Sequence, residues 1–357
     1  MGQLITFLGG GSQRQRVAVA ATRWFGARGR PALLVTQPPA FELAHQLGVA
    51  LGPAPVSFAL DCDVVQLQAV SLMEQQWEDL KSLEAQYLKS PFFKDVYGQE
   101  LSIFPGLDSF LVLNALRGYL ARYEAVIYCA PHDLEGLRLL GLPTTAEWYY
   151  RRFRQVFESS DLNRALAPFV IPLTAAVTNF SLETPNLQQP LDRLEDLFTQ
   201  AQALLADPQR LLAYLVTDAD PVSVTAARWL WGSAQQVNVR VRGVLGLPSG
   251  ADLNPADFAP LPIYPLAIPA GVWEVPLDQL PDFGRPAAVP DPVRFEADQV
   301  FVFLPGFTKA EVKLTQYGPG LTIEAGDQRH NINLPPTLKG RPIRAARFQD
   351  SYLIIQF

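Results

Sequence analysis

An apolar run at residues 3–8 ends in three consecutive glycines, Gly9, Gly10 and Gly11, and continues as an Ala- and Val-rich helical stretch over 13–25. Strand, glycine turn and helix in that order begin a crossover unit. Short, continuous apolar runs follow at 32–36 and 125–129, as expected of parallel strands whose two faces are both covered by helices. Further along, strand-like 170–177, helical 191–205, strand-like 212–217, helical 222–234 and strand-like 239–245 return to the same alternation. The pattern predicts an α/β fold with a doubly wound, mostly parallel sheet.

Two stretches break the alternation. Residues 64–124 carry charges spaced between apolar positions at helical period, and 144–160 mixes Trp148, Tyr149, Tyr150 and Phe153 with three arginines. Both read as helical insertions. Positions 149, 153, 156 and 157 share one helix face, which points to a packed helix with solvated arginines. The segment 281–292 has the proline density of a linker. Beyond it, 300–304, 311–315, 321–325, 330–334, 343–348 and 352–357 are short strands between Gly, Pro and Asp turns. The expected domains are 1–283, a linker at 284–293, and a small antiparallel β-sandwich at 294–357.

Charge narrows the choice of partners. Acidic residues outnumber basic ones 35 to 29, for a net charge of -6, so no global positive field holds nucleic acid. No apolar run is long enough to span a bilayer, so no integral membrane segment is expected. Residues 2–6 satisfy a loose acylation motif but read better as the first buried strand. Two cysteines in no paired pattern, and three histidines, argue for a reduced, cytoplasmic setting without a structural zinc.

The opening Phe7-Leu8-Gly9-Gly10-Gly11-Ser12-Gln13-Arg14-Gln15-Arg16-Val17 resembles, without a gap, the deviant phosphate loop G-K-G-G-V-G-K-T-T of the arsenical-pump and tail-anchored-protein-targeting ATPases. The segment 33–48, LLVTQPPAFELAHQLG, is similar to that family's L-L-I-S-T-D-P-A-H-N-L-S-D-A-F-G. Residues 126–131 with 137–143 resemble its F-D-T-A-P strand and following loop, and Pro105-Gly106-Leu107-Asp108 its P-G-x-D-E motif. The C-terminal strands, with Phe303-Leu304-Pro305-Gly306-Phe307 and Asn333-Leu334-Pro335, resemble the α-crystallin-type, small heat-shock-like module that some members append. The resemblance covers nearly the whole chain and implies a P-loop NTPase fold, ATP or ADP as the ligand, and a homodimer.

Set against that resemblance, the chemistry is missing. A working phosphate loop needs a lysine against the phosphates and a Ser or Thr hydroxyl on magnesium. The two lysine positions carry Gly10 and Gln15, and the magnesium position carries Arg16. The family's D-P-A-H, water-activating and D-T-A-P aspartates fall on Pro38, His45 and Tyr128. No catalytic residue and no metal ligand are therefore assigned, and no cofactor is expected.

Gly9, Gly10, Gly11, Ser12, Gln13, Arg14, Gln15, Arg16 and Val17 remain as a residual phosphate loop. Two outcomes stay open for it: an anion cradle made of backbone amides, the helix dipole and the arginines, or a tight strand-to-helix turn whose arginines are solvated or paired across a subunit interface. A new metal site from His45, His132, Cys129 and Tyr128 lacks supporting ligand spacing.

The expected function is that of a family member without hydrolysis, acting as a scaffold or chaperone-like factor for an unidentified protein client. The alternative is an atypical ATPase in which Arg14, Arg16 and backbone amides replace the lysine. With only Met1 and Met73, a methionine-rich client groove is not expected.

Overall fold

The computed structural model describes residues 2–87, 97–103, 106–159, 207, 209–269, 272–285, 289–317 and 320–357; side chains of 79, 80, 82–87 and 150–159 are outside that description. The expected strand at 170–177 and helix at 191–205 lie outside the described residues.

Among the described residues, eight strands form the main sheet. In chain order they are β1 (Gln3–Gly9), β2 (Ala32–Thr36), β3 (Val56–Ala59), β4 (Cys62–Gln66), β5 (Ala125–Tyr128), β6 (Leu211–Thr217), β7 (Val241–Gly246) and β8 (Ile263–Pro265). Their spatial order is β3-β4-β2-β5-β1-β6-β7-β8, parallel except at the β3 edge. Strands β2, β5, β6 and β7 are buried along their whole length, which is why they read as unbroken apolar runs.

The pleat sends alternate residues to opposite faces. Leu4 and Leu8 join one core cluster and Ile5 and Phe7 the other. On the second face lies α1 (Gln13–Gly26), overlaid by a strap in which Leu266, Val275, Leu280 and Phe283 are buried. On the first lie α4 (Leu107–Leu120), α5 (Asp133–Ser159) and α6 (Pro221–Gln236). The short α2 (Phe41–Leu47) follows β2, and α3 (Ala69–Tyr87) follows β4.

Several sequence expectations shift. The helical insertion read from residue 64 begins only at α3, because Cys62–Gln66 is a strand pairing with β2; its polar ends left only Val64 and Val65 as an apolar signal. Helix α5 starts at Asp133 rather than near 144 and runs through Pro143. Tyr149, read as part of a packed face, is 55% exposed. The proline-dense segment begins inside the core of the α/β unit. Its Phe283 is fully buried against Phe25, Trp24, Phe7 and Tyr214. Farther on, Arg240 pairs with Asp291 at 2.6 Å.

The C-terminal unit is a sandwich of two antiparallel sheets. One has the order β14-β15-β10-β9, from β9 (Val293–Glu296), β10 (Gln299–Phe303), β14 (Ala345–Gln349) and β15 (Tyr352–Gln356). The other has the order β11-β12-β13, from β11 (Lys313–Tyr317), β12 (Gly320–Ala325) and β13 (Gln328–Asn333). Val300, Val302, Leu321, Ile323, Ile332 and Ile355 fill the space between them.

This unit is packed on α6. A Cβ on Gly232 would stand 2.2 Å from the Pro305 carbonyl oxygen, so only glycine lets the 305–306 turn approach the helix. Phe303 belongs to the main core, the Gln328 side chain donates to the Ser233 carbonyl at 3.3 Å, and Arg138 on α5 pairs with Asp327 at 2.6 Å.

Candidate functional site: the glycine loop at the end of β1

In parallel sheets, ligands bind at the C-terminal ends of strands where neighbouring strands send their helices to opposite faces. β1 occupies such a point: its helix α1 goes to one face, while α5 and α6, following the flanking strands β5 and β6, go to the other.

Gly9 closes β1, Gly10, Gly11 and Ser12 form the turn, and Gln13 to Val17 are the first residues of α1. All three glycines have left-handed φ, +84°, +71° and +53°. The first two are also pressed against β6: a Cβ on Gly9 would lie 2.7 Å from the Val216 carbonyl oxygen, and one on Gly10 2.5 Å from a Val216 methyl. Gly11 meets open space and is exposed, as is Ser12, whose hydroxyl makes no cap hydrogen bond. The amides of Gln13, Arg14 and Gln15 fold back onto the carbonyls of Gly10, Gly11 and Ser12 at 3.0, 3.3 and 3.2 Å.

Arg14, at a glycine position of the resembled loop, is only 8% exposed. Its guanidinium pairs with the carboxylate of Asp133 and donates to the carbonyls of Ala130 and Pro131 at 3.1 and 3.3 Å, just beyond β5. Its Nε has no partner. Asp133 accepts a second hydrogen bond through the same oxygen, from the Gly9 amide at 3.1 Å. The pairing of Arg14 thus lies within the chain, not across a subunit interface.

Arg16 turns the other way. Its Nε donates to the Trp273 carbonyl at 2.8 Å, its terminal nitrogens to the Val272 carbonyl and the Gln13 side chain, and it ties the strap onto the first turn of α1. The four carbonyls of 130, 131, 272 and 273 could not be foreseen from sequence, since backbone acceptors carry no side-chain signal. Asp133 could have been: it is an acid in the first turn of a helix, directly after the Ala130-Pro131 segment.

The remaining candidates do not form one cluster. Tyr128, aligned with an aspartate of the resembled motif, donates its phenol hydrogen to Gln37 at 2.7 Å and so bridges the ends of β5 and β2. Burial, then the neighbouring Cys129, pushes that phenol above the ordinary tyrosine range. Burial likewise raises the Cys129 thiol, with Arg14 pulling against it. His132 is exposed beside Glu135 at 3.2 Å, and His45 is exposed on α2. Among the described residues no group of three or more His, Cys, Asp and Glu is arranged to hold a metal ion, and no helix is long and apolar enough to cross a membrane.

Comparison with known proteins agrees with this architecture. A putative arsenical pump-driving ATPase of Chlorobaculum tepidum is 22% identical over 232 residues, covering 62% of this chain and 55% of its own length. The protein of the same description from Prosthecochloris vibrioformis gives the same 22%, 62% and 55%. The chain therefore spans little more than half the length of these relatives. An uncharacterized protein of Streptomyces coelicolor is 24% identical over 386 residues, with 98% of this chain and 95% of its own length covered. The HSP20-like domain found in ArsA matches residues 297–357. With the anion-transporting ATPase family matching residues 3–245, the α/β sheet and its glycine loop included, the chain belongs to that family.

Proposed function

We propose that this family member does not hydrolyse ATP and works as a protein-binding scaffold or chaperone-like factor of the cytoplasm. One observation carries the reading: the position from which the family would hold magnesium is Arg16, a cation whose hydrogen bonds go to the carbonyls of 272 and 273. A guanidinium there repels a divalent metal and offers no oxygen to it. The lysine positions, Gly10 and Gln15, supply no charge against a phosphate. A magnesium nucleotide does not suit this donor set, so no phosphoryl-transfer step is drawn through it.

The alternative reading makes Arg14 and Arg16 stand in for the lysine. It requires both guanidinium groups to leave the protein groups they hold, one of them the half-buried carboxylate of Asp133. The scaffold reading takes support from the C-terminal sandwich, which is fastened to α6 and α5 by buried aromatic contacts and an ion pair rather than by a loose tether. A homodimer is part of this proposal.

Isothermal titration with Mg-ATP and Mg-ADP, with phosphate release followed on the same preparation, tests the reading. No turnover is expected. Magnesium-dependent binding with turnover overturns it.

A further inference from the structure

A cleft of about 540 Å³ opens at the N-terminal edge of the main sheet, the end away from the glycine loop. Its floor is the entry to β1, and its walls include the turns that lead into β5 and β6. Backbone fixes the floor: the amides of Gly2, Gln3 and Leu4 donate to the carbonyls of Leu120, Glu124 and Arg210 at 2.9, 2.8 and 2.7 Å. A Cβ on Gly2 would stand 2.2 Å from the Tyr123 carbonyl oxygen, so glycine alone fits there.

Two side chains on these walls are left unsatisfied. The Gln3 amide nitrogen donates to the Gln209 carbonyl at 3.1 Å, which sets the orientation of the amide and leaves its Oε1 buried without a donor. Arg210 has a buried Nε without an acceptor, and its guanidinium meets no carboxylate at ion-pair distance among the described residues. Arg122 lies over the Tyr119 ring at 4.8 Å and is likewise without a carboxylate partner among them. The other charged groups of the cleft are engaged: Arg30 pairs with Glu124 at 2.7 Å, and Asp207 accepts from the Gln209 amide at 2.8 Å. Arg122 follows the C-terminus of α4, where a cation is favoured in any case. That does not account for Arg210 or for the Gln3 oxygen.

We propose that this cleft binds a small hydroxylated anion, with its phosphate or carboxylate oxygens on the Arg210 and Arg122 guanidinium groups and a hydroxyl donating to Gln3 Oε1. A planar guanidinium suits either head group through paired N–H donors. The volume is that of a site for a metabolite-sized ligand, and walls rich in charged and polar groups select against an apolar one. The site lies apart from the glycine loop and does not depend on whether that loop hydrolyses nucleotide.

Calorimetric titration of the full chain with glycerol 3-phosphate, glycerate and inorganic phosphate tests the assignment, with amide exchange locating the bound probe. Saturable binding of glycerol 3-phosphate or glycerate is expected, about fivefold or more tighter than that of inorganic phosphate, the scale of one added hydrogen bond. The tighter of the two names the head group. Arg210→Ala should weaken binding about tenfold or more, the scale of a charge-assisted hydrogen bond, and Gln3→Leu should abolish the preference over inorganic phosphate. Exchange should slow over 120–124 and 209–212 and stay unchanged over 9–17.

No saturable binding of any probe by about 10 mM, protection over 9–17 instead, or undiminished affinity in a folded Arg210→Ala overturns the proposal. Equal binding of all three probes overturns the assignment to a hydroxylated anion. Should Arg210→Ala fold poorly, the exchange map of the wild type decides.

Discussion

The indole of Trp231 on α6 meets the ring of Phe303 on β10 edge-on, with centroids 5.3 Å apart and planes at 77°. Both side chains are buried, at 2% and 4% exposure, and Phe303 belongs to the core of the α/β unit although the chain places it in the C-terminal sandwich. Phe303→Ala is expected to cost about 3–5 kcal/mol, the range for truncating a buried aromatic. Urea unfolding followed by tryptophan fluorescence, with Trp231 as a reporter, checks this. A loss below about 1 kcal/mol would mean that the two units do not share a core.

Gly232 is the close-approach point of the same joint. Its added methyl in Gly232→Ala would meet the Pro305 oxygen at 2.2 Å and the Phe307 ring at 2.6 Å. Helix propensity alone favours Ala over Gly by about 1 kcal/mol. A net destabilisation of about 1–3 kcal/mol is nevertheless expected, because the clash is with backbone. Limited proteolysis should release the C-terminal sandwich from this variant faster than from the wild type. A stabilised variant would place the joint elsewhere.

Arg16 is predicted to act on stability. Its guanidinium holds the carbonyls of 272 and 273 and so ties the strap to α1. Arg16→Ala should cost about 2 kcal/mol, the scale of a charge-assisted hydrogen bond. Amide exchange should quicken over 272–280, where Val275 and Leu280 lie buried on the second face. Arg16→Lys should recover only part of the loss, since an ammonium lacks the planar fork. Unchanged exchange in Arg16→Ala would contradict the clamp.

His330 on β13 is buried without a partner for its Nδ1, and burial lowers its pKa from 6.5 to about 4. The unfolded chain therefore takes up a proton at a pH where the folded chain does not. Its contribution to stability is intact above pH 6.5, declines as pH falls from 6.5 towards 4, and levels off below. Between pH 7 and pH 5 the loss should be about 2 kcal/mol. Comparing urea midpoints of the wild type and His330→Leu across that window isolates the effect. Parallel pH profiles in the two proteins would assign it to other groups.

The alternation of apolar runs with helical stretches was legible in the sequence because parallel strands covered on both faces need no polar face, so β2 and β6 stand out unaided. The edge strands β3 and β8 did not, being short and only partly buried, with little hydrophobic period to read. The gapless resemblance to the family's loop also put Gly10 and Gln15 at its lysine positions and Arg16 at its magnesium position from the sequence alone.

The destination of the two arginines was decided only by the fold. Arg14 and Arg16 lie two residues apart on α1, a separation that turns them to different sides of the helix. One meets Asp133, at the start of a helix on the opposite face of the sheet, and the other meets backbone carbonyls more than two hundred residues away. Partners that distant, and carbonyl acceptors that every residue carries alike, leave no mark in the local sequence. Tertiary packing selects them by bringing the ends of β1 and β5 and the strap to one edge of the sheet.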